Sequence, residues 1–245
     1  MDKSYESKYH QLEESNWWFV ARRDIIYRLI KSFNPKDNID ILDVGCSGGN
    51  LIEFLKNKGF HNLSGIDISA DAIKICQQKD LSNVFVADGI KTPFPENKFD
   101  IIIASDILEH IKDDGVALKE WKRILKKDGK MIIFVPAFGF LWSDHDKANQ
   151  HYRRYTKNSL SELAKKSGCR TERISYWNFL LFLPTFIVRI VQRLFTTKSK
   201  NSDQLYSLNS LINKMLIILV KLENYLLAKK INLPWGVSVF AIIKK

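Results

Sequence analysis

The sequence predicts an α/β fold in which a largely parallel, seven-stranded sheet carries helices on both faces and a helical insertion separates its last two strands. Short apolar runs that end in small or acidic residues alternate with helix-like stretches along residues 39–136. Such alternation is typical of a parallel sheet buried between helices. With 245 residues, 45% of them hydrophobic, the chain can build one large core without cross-links.

Five strands are predicted in the first part of the sheet, each as a short apolar run. Helical patterns lie between them, and Gly59 and Gly129 supply stop signals. The strands are Ile39–Gly45, Leu63–Ser69, Asn83–Gly89, Phe99–Ser105 and Lys130–Pro136, and the helices are Asn50–Lys58, Ala70–Lys79 and Asp114–Lys126.

The last part of the chain adds a helix at Thr156–Lys166, a sixth strand at Arg170–Tyr176 and a seventh at Val237–Lys245. About 60 residues separate these two strands, far more than a hairpin needs. We therefore divide the chain into an N-terminal helical lid (1–38), a core (39–176 and 237–245) and a basic, amphipathic helical insertion (177–236).

Charge is distributed unevenly along the chain, whose net charge is +11. Residues 1–150 contain 21 Lys and Arg against 23 Asp and Glu, whereas residues 151–245 contain 17 against 4. The second part is therefore expected to meet an anionic partner, such as phospholipid head groups, a phosphorylated substrate or nucleic acid. The other interpretation is a solvated basic surface.

A glycine-rich turn follows the first predicted strand. It reads Leu-Asp-Val-Gly-Cys-Ser-Gly-Gly-Asn from Leu42 to Asn50. Small residues there let the backbone approach a ligand, and the helix N-terminus offers free N–H groups. The G-x-G-x-x-G spacing of dinucleotide-binding proteins is not met, which disfavours a nicotinamide cofactor.

Carboxylates end the next two predicted strands. Asp67 follows the turn by about 20 residues, where a carboxylate can accept both hydroxyls of a ribose. Asp88 ends the third strand, where it can accept the amino group of an adenine, and Ser105 closes the fourth strand beside them. Open α/β sheets bind ligands at this carboxyl edge. Taken singly, each carboxylate could instead cap a helix or stabilise a turn.

The order LDVGCSGG, GIDIS, VADG and FDIIIASDILEHI resembles the successive motifs of class I S-adenosylmethionine-dependent methyltransferases. It is most similar to the methyltransferase type 11 group, which includes the ubiquinone and menaquinone biosynthesis methyltransferases, and it covers residues 39–135. The resemblance implies a Rossmann-like methyltransferase sheet and S-adenosyl-L-methionine as cofactor. Ser47 stands where the family has its middle glycine. The implied cofactor-binding residues are Asp43, Gly45, Cys46 and Gly49 at the methionine end, Asp67 and Ile68 at the ribose, Asp88 and Gly89 at the adenine, and Ser105 near the amino-acid moiety.

An aromatic and basic segment precedes the first strand, with Trp17-Trp18-Phe19 followed by Arg22-Arg23. As a helix it is expected to cover the cofactor. Trp17 would then lie over the sulfonium by cation–π attraction, and Arg22 would pair with the cofactor carboxylate. The alternative is an amphipathic helix that packs its aromatic side chains on the sheet.

Candidate catalytic residues follow the fifth strand, at the same edge of the sheet. His145 and His151 have carboxylate neighbours, and such a histidine can act as a base near neutral pH. We expect one of them to deprotonate an acceptor hydroxyl, while Arg153, Arg154 and Tyr155 bind an anionic part of the acceptor. The alternative is an ion-paired loop in which these residues only hold the backbone together.

A second cluster consists of Asp106, Glu109 and His110, whose i, i+3, i+4 spacing places them on one face of a helical turn. Some quinone-type relatives use acidic residues of this segment to bind a divalent ion. Asp106 stands where those relatives have Glu, so we expect no metal here and assign the cluster to the start of a helix.

The insertion combines apolar helical faces with basic residues. Its most apolar run, Phe179–Val188, lies within 15 residues between Arg173 and Arg189, which is fewer than the ~20 needed to span a bilayer. A second apolar face runs from Leu208 to Leu226. Basic amphipathic helices of this composition suit an interfacial anchor, so we expect an anionic membrane surface as partner. The alternative is a soluble cap over the acceptor.

These observations favour O-methylation of a lipid-linked glycan or other lipid-like acceptor by a cytoplasmic protein that is peripheral at the inner membrane face. The Trp-Trp-Phe start and the His-x-Arg-Arg-Tyr loop resemble methyltransferases associated with bacterial surface-polysaccharide assembly. A quinone-type O- or C-methyltransferase is the second interpretation, and a non-catalytic, cofactor-binding interaction subunit is the third. Nucleic acid is disfavoured as acceptor, because the chain has no Pro-Cys dipeptide and no Pro-Pro-Tyr-like tetrapeptide after the fourth strand.

The cytoplasmic expectation rests on cysteine usage and on the N-terminal residues. Cys46, Cys76 and Cys169 lack disulfide-like or metal-like spacing, which fits a reducing compartment. The first residues are polar and show no apolar core of a secretion signal.

Overall fold

One mixed sheet forms the centre of the protein in a computed structural model, which describes residues 12–35, 38–195 and 208–245. Its strands are β1 (Ile41–Val44), β2 (Leu63–Asp67), β3 (Val84–Val86), β4 (Phe99–Ser105), β5 (Leu125–Pro136), β6 (Arg170–Trp177) and β7 (Ser238–Lys244). They lie in the order β3-β2-β1-β4-β5-β7-β6. The first five are parallel, and β7 runs antiparallel between β5 and β6. The predicted seven-stranded Rossmann-like sheet is confirmed.

Helices cover both faces of this sheet. One face packs against α4 and α6 around the fully buried Trp121, and the other packs against α1, α2, α3 and part of α8. The short helix α5 follows β5. The helices are α1 (Trp17–Ser32), α2 (Asn50–Lys56), α3 (Ala70–Gln78), α4 (Asp114–Ile124), α5 (Asp144–Ala148), α6 (Lys157–Lys166), α7 (Phe182–Phe195) and α8 (Ser210–Ala228).

The junction between α4 and β5 differs from the sequence prediction. The predicted helix runs to Lys126, but α4 ends at Ile124 and β5 begins at Leu125. Leu125 is fully buried and pairs with Phe99, before a register shift brings Lys130 opposite Ile101. Because Leu125 is buried and paired in the sheet, it belongs to β5, although helical periodicity alone assigns it to the helix.

The N-terminal segment contributes a core helix. Ala21, Ile25 and Leu29 of α1 are fully buried under the sheet, while Trp17 and Trp18 reach the carboxyl edge. The predicted lid thus combines a buried helix with residues that face a cavity. The first 11 residues of the predicted lid, together with residues 36 and 37, lie outside the described chain.

The insertion is fastened to α1 through polar side chains of α8. Asn224 donates from Nδ2 to the Ala21 carbonyl and to Asp24 Oδ2, both at 2.9 Å, and accepts from Trp177 Nε1 at 2.8 Å. Glu223 accepts from three successive backbone N–H groups, those of residues 178, 179 and 180, at 2.6–3.2 Å. The buried side of α8 is therefore partly polar.

Apolar side chains of the insertion point outward. Leu183 and Ile187 of α7 are 59% and 58% exposed, and Met215 and Leu222 of α8 are 61% and 62% exposed. Phe182 is instead packed against Phe138 of the loop after β5. Among the described residues, no helix combines the length and the apolar character that crossing a membrane requires.

Candidate active site

A cavity of about 840 Å³ opens at the carboxyl edge of the sheet. The loops that follow β1 and β2 form one end, with Gly45, Ser47 and Asp67 in the wall. The loop after β5 and the two insertion helices form the other end, with His151 and Leu181 in the wall. Open α/β sheets bind ligands at this edge, which makes the cavity the candidate active site.

The glycine-rich loop between β1 and α2 has a backbone that favours glycine at two positions. Gly45 and Gly49 both have φ near 75°, in the left-handed region that a Cβ disfavours. Ser47 stands between them at φ 49°, and its N–H donates to Asp67 Oδ2 at 2.9 Å. The N–H of Ser69 donates to Asp67 Oδ1 at 2.9 Å. The carboxylate thus joins the loop to the end of β2.

Asp43 lies below this loop and is 5% exposed. Burial, followed by the charges of Glu13 and Asp67, raises the pKa of the Asp43 carboxyl well above its usual range. Gly45 lines the cavity, whereas Asp43 does not. A cofactor role for Asp43 stays a prediction.

Cys46 and Gly49 also lie behind the cavity wall. The Cys46 thiol points towards β2, since a Cβ built on Gly65 would lie 2.9 Å from its Sγ atom. A hydrogen bond with Cys76, together with burial, raises the pKa of the Cys46 thiol. Gly49 is the N-cap of α2, and a Cβ there would lie 2.5 Å from a methyl group of Leu81. Their contacts are with the core, and their cofactor roles stay predictions.

The predicted ribose residues reach the cavity. Asp67 and Ile68 both line it, and the Ile68 side chain is 74% exposed. An apolar side chain so exposed beside a carboxylate offers a flat surface to a nucleoside base.

The other predicted nucleoside residues stand outside the cavity wall. Asp88 is exposed and accepts from the N–H of Ile90 at 3.0 Å. The Gly89 carbonyl accepts from Trp121 Nε1 at 2.8 Å, and Ser105 Oγ donates to Asp106 Oδ2 at 3.0 Å. Their predicted contacts with adenine and with the amino-acid moiety stay untested.

Trp17 and Arg22 take different positions in the N-terminal helix. Trp17 lines the cavity. The Arg22 guanidinium is buried over the rings of Trp177 and Phe134, at 4.1 and 4.2 Å from their centroids. It donates to Ser238 Oγ at 3.1 Å and to Asp106 Oδ1 at 3.2 Å. Arg22 therefore links α1 to β7 and to the cavity wall, and its pairing with a cofactor carboxylate stays a prediction.

Three imidazole rings meet at the acceptor end. The ring centroid of His151 lies 4.6 Å from that of His110 and 6.1 Å from that of His145. Burial lowers the pKa of His110 to about 4, with a smaller contribution from His151, and burial also lowers the pKa of His145 to about 4. At neutral pH these two rings are uncharged.

Asp146 orients His151. His151 Nδ1 lies 3.0 Å from Asp146 Oδ1, and Arg154 binds both oxygens of the same carboxylate, from Nε at 2.7 Å and Nη2 at 2.9 Å. Burial opposes ionisation of Asp146, but hydrogen bonds from His151 and Arg154 outweigh it and lower the pKa of the carboxyl. A charged carboxylate at Nδ1 favours the tautomer with its proton there, which leaves the Nε2 lone pair free to accept a proton.

Of the three predicted acceptor-binding residues, Arg154 lines the cavity. Arg153 donates to Asp114 Oδ2 at 2.8 Å, and Tyr155 donates to the same oxygen at 2.9 Å. These two bonds hold the loop on α4. Binding of the acceptor by Arg153 and Tyr155 stays a prediction.

A further cluster contains Glu109, His110 and His151. One ligand atom of each lies within 4.8 Å of the others, so these residues could hold a metal ion. Glu109 Oε2 is buried without a hydrogen-bond partner among the described residues. Burial, and then the charge of Asp106, raises the pKa of the Glu109 carboxyl well above its usual range.

The folded chain thus brings Trp17, Gly45, Asp67, Ile68, His145, His151 and Arg154 together around one cavity. Sequence analysis did not assign a role to Asp146 or to Glu13. Asp146 could have been found from its spacing, because it stands five residues before His151 in a short helical loop. Glu13 gave no such signal, because only folding brings it to the glycine-rich loop.

Known families and structures match this architecture. Residues 42–133 match the family described as "Methyltransferase domain". A ubiquinone biosynthesis O-methyltransferase of Pelagibacter ubique is 35% identical over 112 residues, which are 44% of this chain and 46% of that protein. An uncharacterised protein of Methanocaldococcus jannaschii is 29% identical over 148 residues, or 58% of this chain and 68% of that protein. The chain thus spans about half the length of the first of these relatives.

Two solved structures share the fold. A SAM-dependent methyltransferase from Archaeoglobus fulgidus aligns with a TM-score of 0.61 and 21% identity, covering 97% of this chain and 99% of that one. A phosphoethanolamine N-methyltransferase from Haemonchus contortus, solved with S-adenosylhomocysteine, aligns with a TM-score of 0.56 and 21% identity, covering 89% and 52%. Together with the family match, these findings show that residues 42–133 match the methyltransferase-domain family and that the chain has the fold of S-adenosylmethionine-dependent methyltransferases.

Proposed function

We propose that the protein transfers a methyl group from S-adenosylmethionine to a hydroxyl of an amphiphilic acceptor, such as a lipid-linked glycan, at the face of a membrane. One observation carries the proposal. A single cavity joins the cofactor loop, the Asp146–His151 pair and the insertion helices, whose outer faces are apolar.

The residues of the loop fit an adenosylmethionine. Gly45 presents backbone without a side chain, and the Asp67 carboxylate, which accepts from the N–H groups of Ser47 and Ser69, lines the cavity as an acceptor for the hydroxyls of a ribose. Ile68 offers its exposed side chain to the base. When bound, this cofactor supplies an electrophilic methyl group on a sulfonium.

His151 is the proposed general base. The loop after β5 places it in the cavity wall, and Asp146 fixes its protonated Nδ1. Its Nε2 accepts the proton of the acceptor hydroxyl as that oxygen takes the methyl group, and later releases the proton to solvent. His145 is the second candidate base, and its ring contacts the side-chain amide of Asn149.

Glu109 is proposed to orient the acceptor. Its buried Oε2 has no partner in the described part of the chain, and burial together with the charge of Asp106 raises its pKa, which favours the protonated form more than in an ordinary glutamate. A neutral carboxyl group can donate a hydrogen bond to an acceptor oxygen beside His151.

The apolar part of the acceptor would lie between the insertion helices. Leu181, Pro184 and Val188 near α7 and Leu216 of α8 line the cavity. A chain of CH₂ or isoprene groups that follows these residues would leave water at about 0.8 kcal/mol per CH₂.

Membrane association follows from the outer faces of the same helices. Leu183, Ile187, Met215 and Leu222 are exposed, and residues 151–245 carry 17 Lys and Arg against 4 Asp and Glu. Each basic residue near an anionic surface contributes about 1 kcal/mol, and apolar side chains that enter the interface add to it. The proposed location is therefore cytoplasmic and peripheral, at an anionic membrane face.

A quinone-type methyl transfer is the second candidate. It is favoured by the relatives named ubiquinone biosynthesis O-methyltransferases, such as the one that is 35% identical over 112 residues. A binding subunit without catalysis is the third.

Turnover of a His151→Ala variant tests the proposed base. Wild-type protein, methyl-labelled cofactor and bacterial lipid extract should give a labelled lipid, whose identity separates glycan from quinone. We expect His151→Ala to lower turnover at least a hundredfold, since a general base contributes roughly 10²–10⁴, and to keep its affinity for S-adenosylhomocysteine by calorimetry. His61→Ala, at an exposed histidine, is the control.

The base assignment is overturned if His151→Ala retains near-normal turnover. Wild-type protein that binds the cofactor but labels no lipid, with or without added Mg²⁺ or Zn²⁺, would favour the non-catalytic subunit.

Vesicle co-sedimentation tests membrane association. The protein should sediment with vesicles containing anionic lipid, less with zwitterionic vesicles, and only partly less as salt rises, because salt does not screen the apolar contribution. A variant with Met215→Ser and Leu222→Ser should bind several-fold more weakly, whereas Val116→Ser, at an exposed apolar residue of α4, should bind as wild type. If wild-type protein stays in the supernatant with anionic vesicles at low salt, the proposed membrane association is wrong. The insertion would then be a soluble cap over the acceptor.

A further inference from the structure

We infer that Glu13 is a cofactor-binding residue, whose carboxylate accepts a charged hydrogen bond from the α-ammonium group of the methionine moiety. By this contact the N-terminal segment would hold the methionine moiety against the glycine-rich loop. The inference rests on the proposed function, because it requires that the loop bind S-adenosylmethionine.

The Glu13 carboxylate already lies on the loop. Its Oε2 atom accepts from Ser47 Oγ at 3.0 Å and from Asn50 Nδ2 at 3.1 Å. Ser47 lines the cavity at the centre of the loop, and Asn50 is the first residue of α2. The carboxylate therefore spans the loop at the end where the methionine moiety is assigned.

The backbone of Glu13 is held by α1. Arg23 of α1 donates to the Glu13 carbonyl at 2.7 Å and to the Glu14 carbonyl at 2.8 Å. The same helix contributes Trp17 and Trp18 to the cavity wall. A ligand that binds the Glu13 carboxylate is thereby connected to the aromatic residues that cover the cavity.

Electrostatics around the loop favour a cation. Glu13 and Asp67 lie close enough to the buried Asp43 for both charges to act on its carboxyl. The Asp43 side chain itself is buried beneath the loop. The charges of Glu13 and Asp67 act on the same side of the loop, and a bound ammonium group would offset their mutual repulsion.

The neighbouring carboxylate provides a matched control. Glu14 lies one residue further along the same turn and is exposed. Its carbonyl has the same Arg23 contact as that of Glu13. Glu13→Gln and Glu14→Gln therefore remove the same charge from the same turn, and only the first removes it from the loop.

Calorimetric titration with two ligands tests the inference. The first is S-adenosylhomocysteine, and the second is its deaminated analogue, which keeps the carboxylate but lacks the α-amino group. Glu13→Gln should bind S-adenosylhomocysteine about tenfold more weakly, a difference of about 1.4 kcal/mol, and should bind the deaminated analogue as tightly as wild type. Glu14→Gln should match wild type with both ligands. As a second readout, S-adenosylhomocysteine should slow amide hydrogen exchange in residues 12–20 of wild type and less in Glu13→Gln.

Two results would overturn the inference. Equal losses for both ligands would mean that Glu13 only shapes the loop, and an unchanged affinity for S-adenosylhomocysteine would remove it from the site. Failure of wild type to bind either ligand would instead refute cofactor binding itself, so the two failures are distinguishable.

Discussion

The two ends of the cavity are built on helices that bury different kinds of side chain. At the cofactor end, α2 and α3 bury apolar residues such as Ile52 and Ile73 against the sheet. At the acceptor end, α8 buries Asn224 and Glu223 and exposes Leu222. The acceptor end therefore leaves apolar surface on α8 that a lipid or another apolar partner would cover.

Hydrogen bonds of buried polar side chains help to hold α8 in its orientation. A buried amide or carboxylate is costly unless it is hydrogen-bonded, and Asn224 and Glu223 each have three hydrogen bonds. The Asn224 bonds tie α8 to α1, and the Glu223 bonds tie it to the segment after β6, alongside the fully buried Val220 and Leu227. The buried side of α8 thus combines polar and apolar residues, while Leu222 stays exposed.

Matched leucine substitutions in α1 and α8 should differ most in their effect on the free energy of unfolding. Leu29→Ala, at a fully buried residue of α1, should lower the free energy of unfolding by about 2–5 kcal/mol. Leu222→Ala, at a 62% exposed residue of α8, should change it by less than about 0.5 kcal/mol. Urea unfolding followed by circular dichroism measures both. A large loss in Leu222→Ala would show that its side chain is packed in solution, and would remove the outward apolar face.

Affinity for the cofactor should depend on residues of the cofactor end and not on the exposed face of α8. Asp67→Ala should weaken binding of S-adenosylhomocysteine by more than tenfold, because loss of charge-assisted ribose contacts costs roughly 1.5–3 kcal/mol. Met215→Ser in α8 should leave that affinity unchanged. Isothermal titration calorimetry compares the two variants. Unchanged binding by folded Asp67→Ala protein would exclude Asp67 from the site.

The free energy of unfolding should depend on pH because the pKa values of two histidines at the acceptor end are lowered. Burial lowers the pKa of His110 from 6.5 to about 4, so the folded state favours its neutral form. This stabilisation is fully present above pH 6.5 and is lost as the pH falls towards 4, at up to about 1.4 kcal/mol per pKa unit. The raised pKa of Glu109 acts in the opposite sense.

Urea unfolding of wild type and His110→Gln between pH 4.5 and 7.5 isolates the contribution of His110, which we expect to be about 2–3 kcal/mol. His110→Gln should lose less stability than wild type as the pH falls, because its side chain does not take up a proton. Parallel curves for the two proteins would mean that His110 titrates normally.

The sequence determined the sheet and much of the cofactor end, because both depend on local order. Apolar runs alternate with helices, and Gly45 and Asp67 stand where a strand ends and a loop begins. In a parallel sheet such ends meet at one edge whatever the details of packing. Hence Gly45, Asp67 and Ile68 could be placed in the wall from their motifs alone, as the lining of the cavity shows.

Only the tertiary structure decided which side chains face that cavity and which way the insertion helices turn. Cys46 and Arg153 belong to motifs of the site, yet their side chains contact the core and α4. Glu13 reaches Ser47 across 34 residues, and Asn224 reaches Ala21 across 203. Helical periodicity gives the apolar face of α8 but not its direction, because that direction depends on hydrogen bonds between residues far apart in the chain.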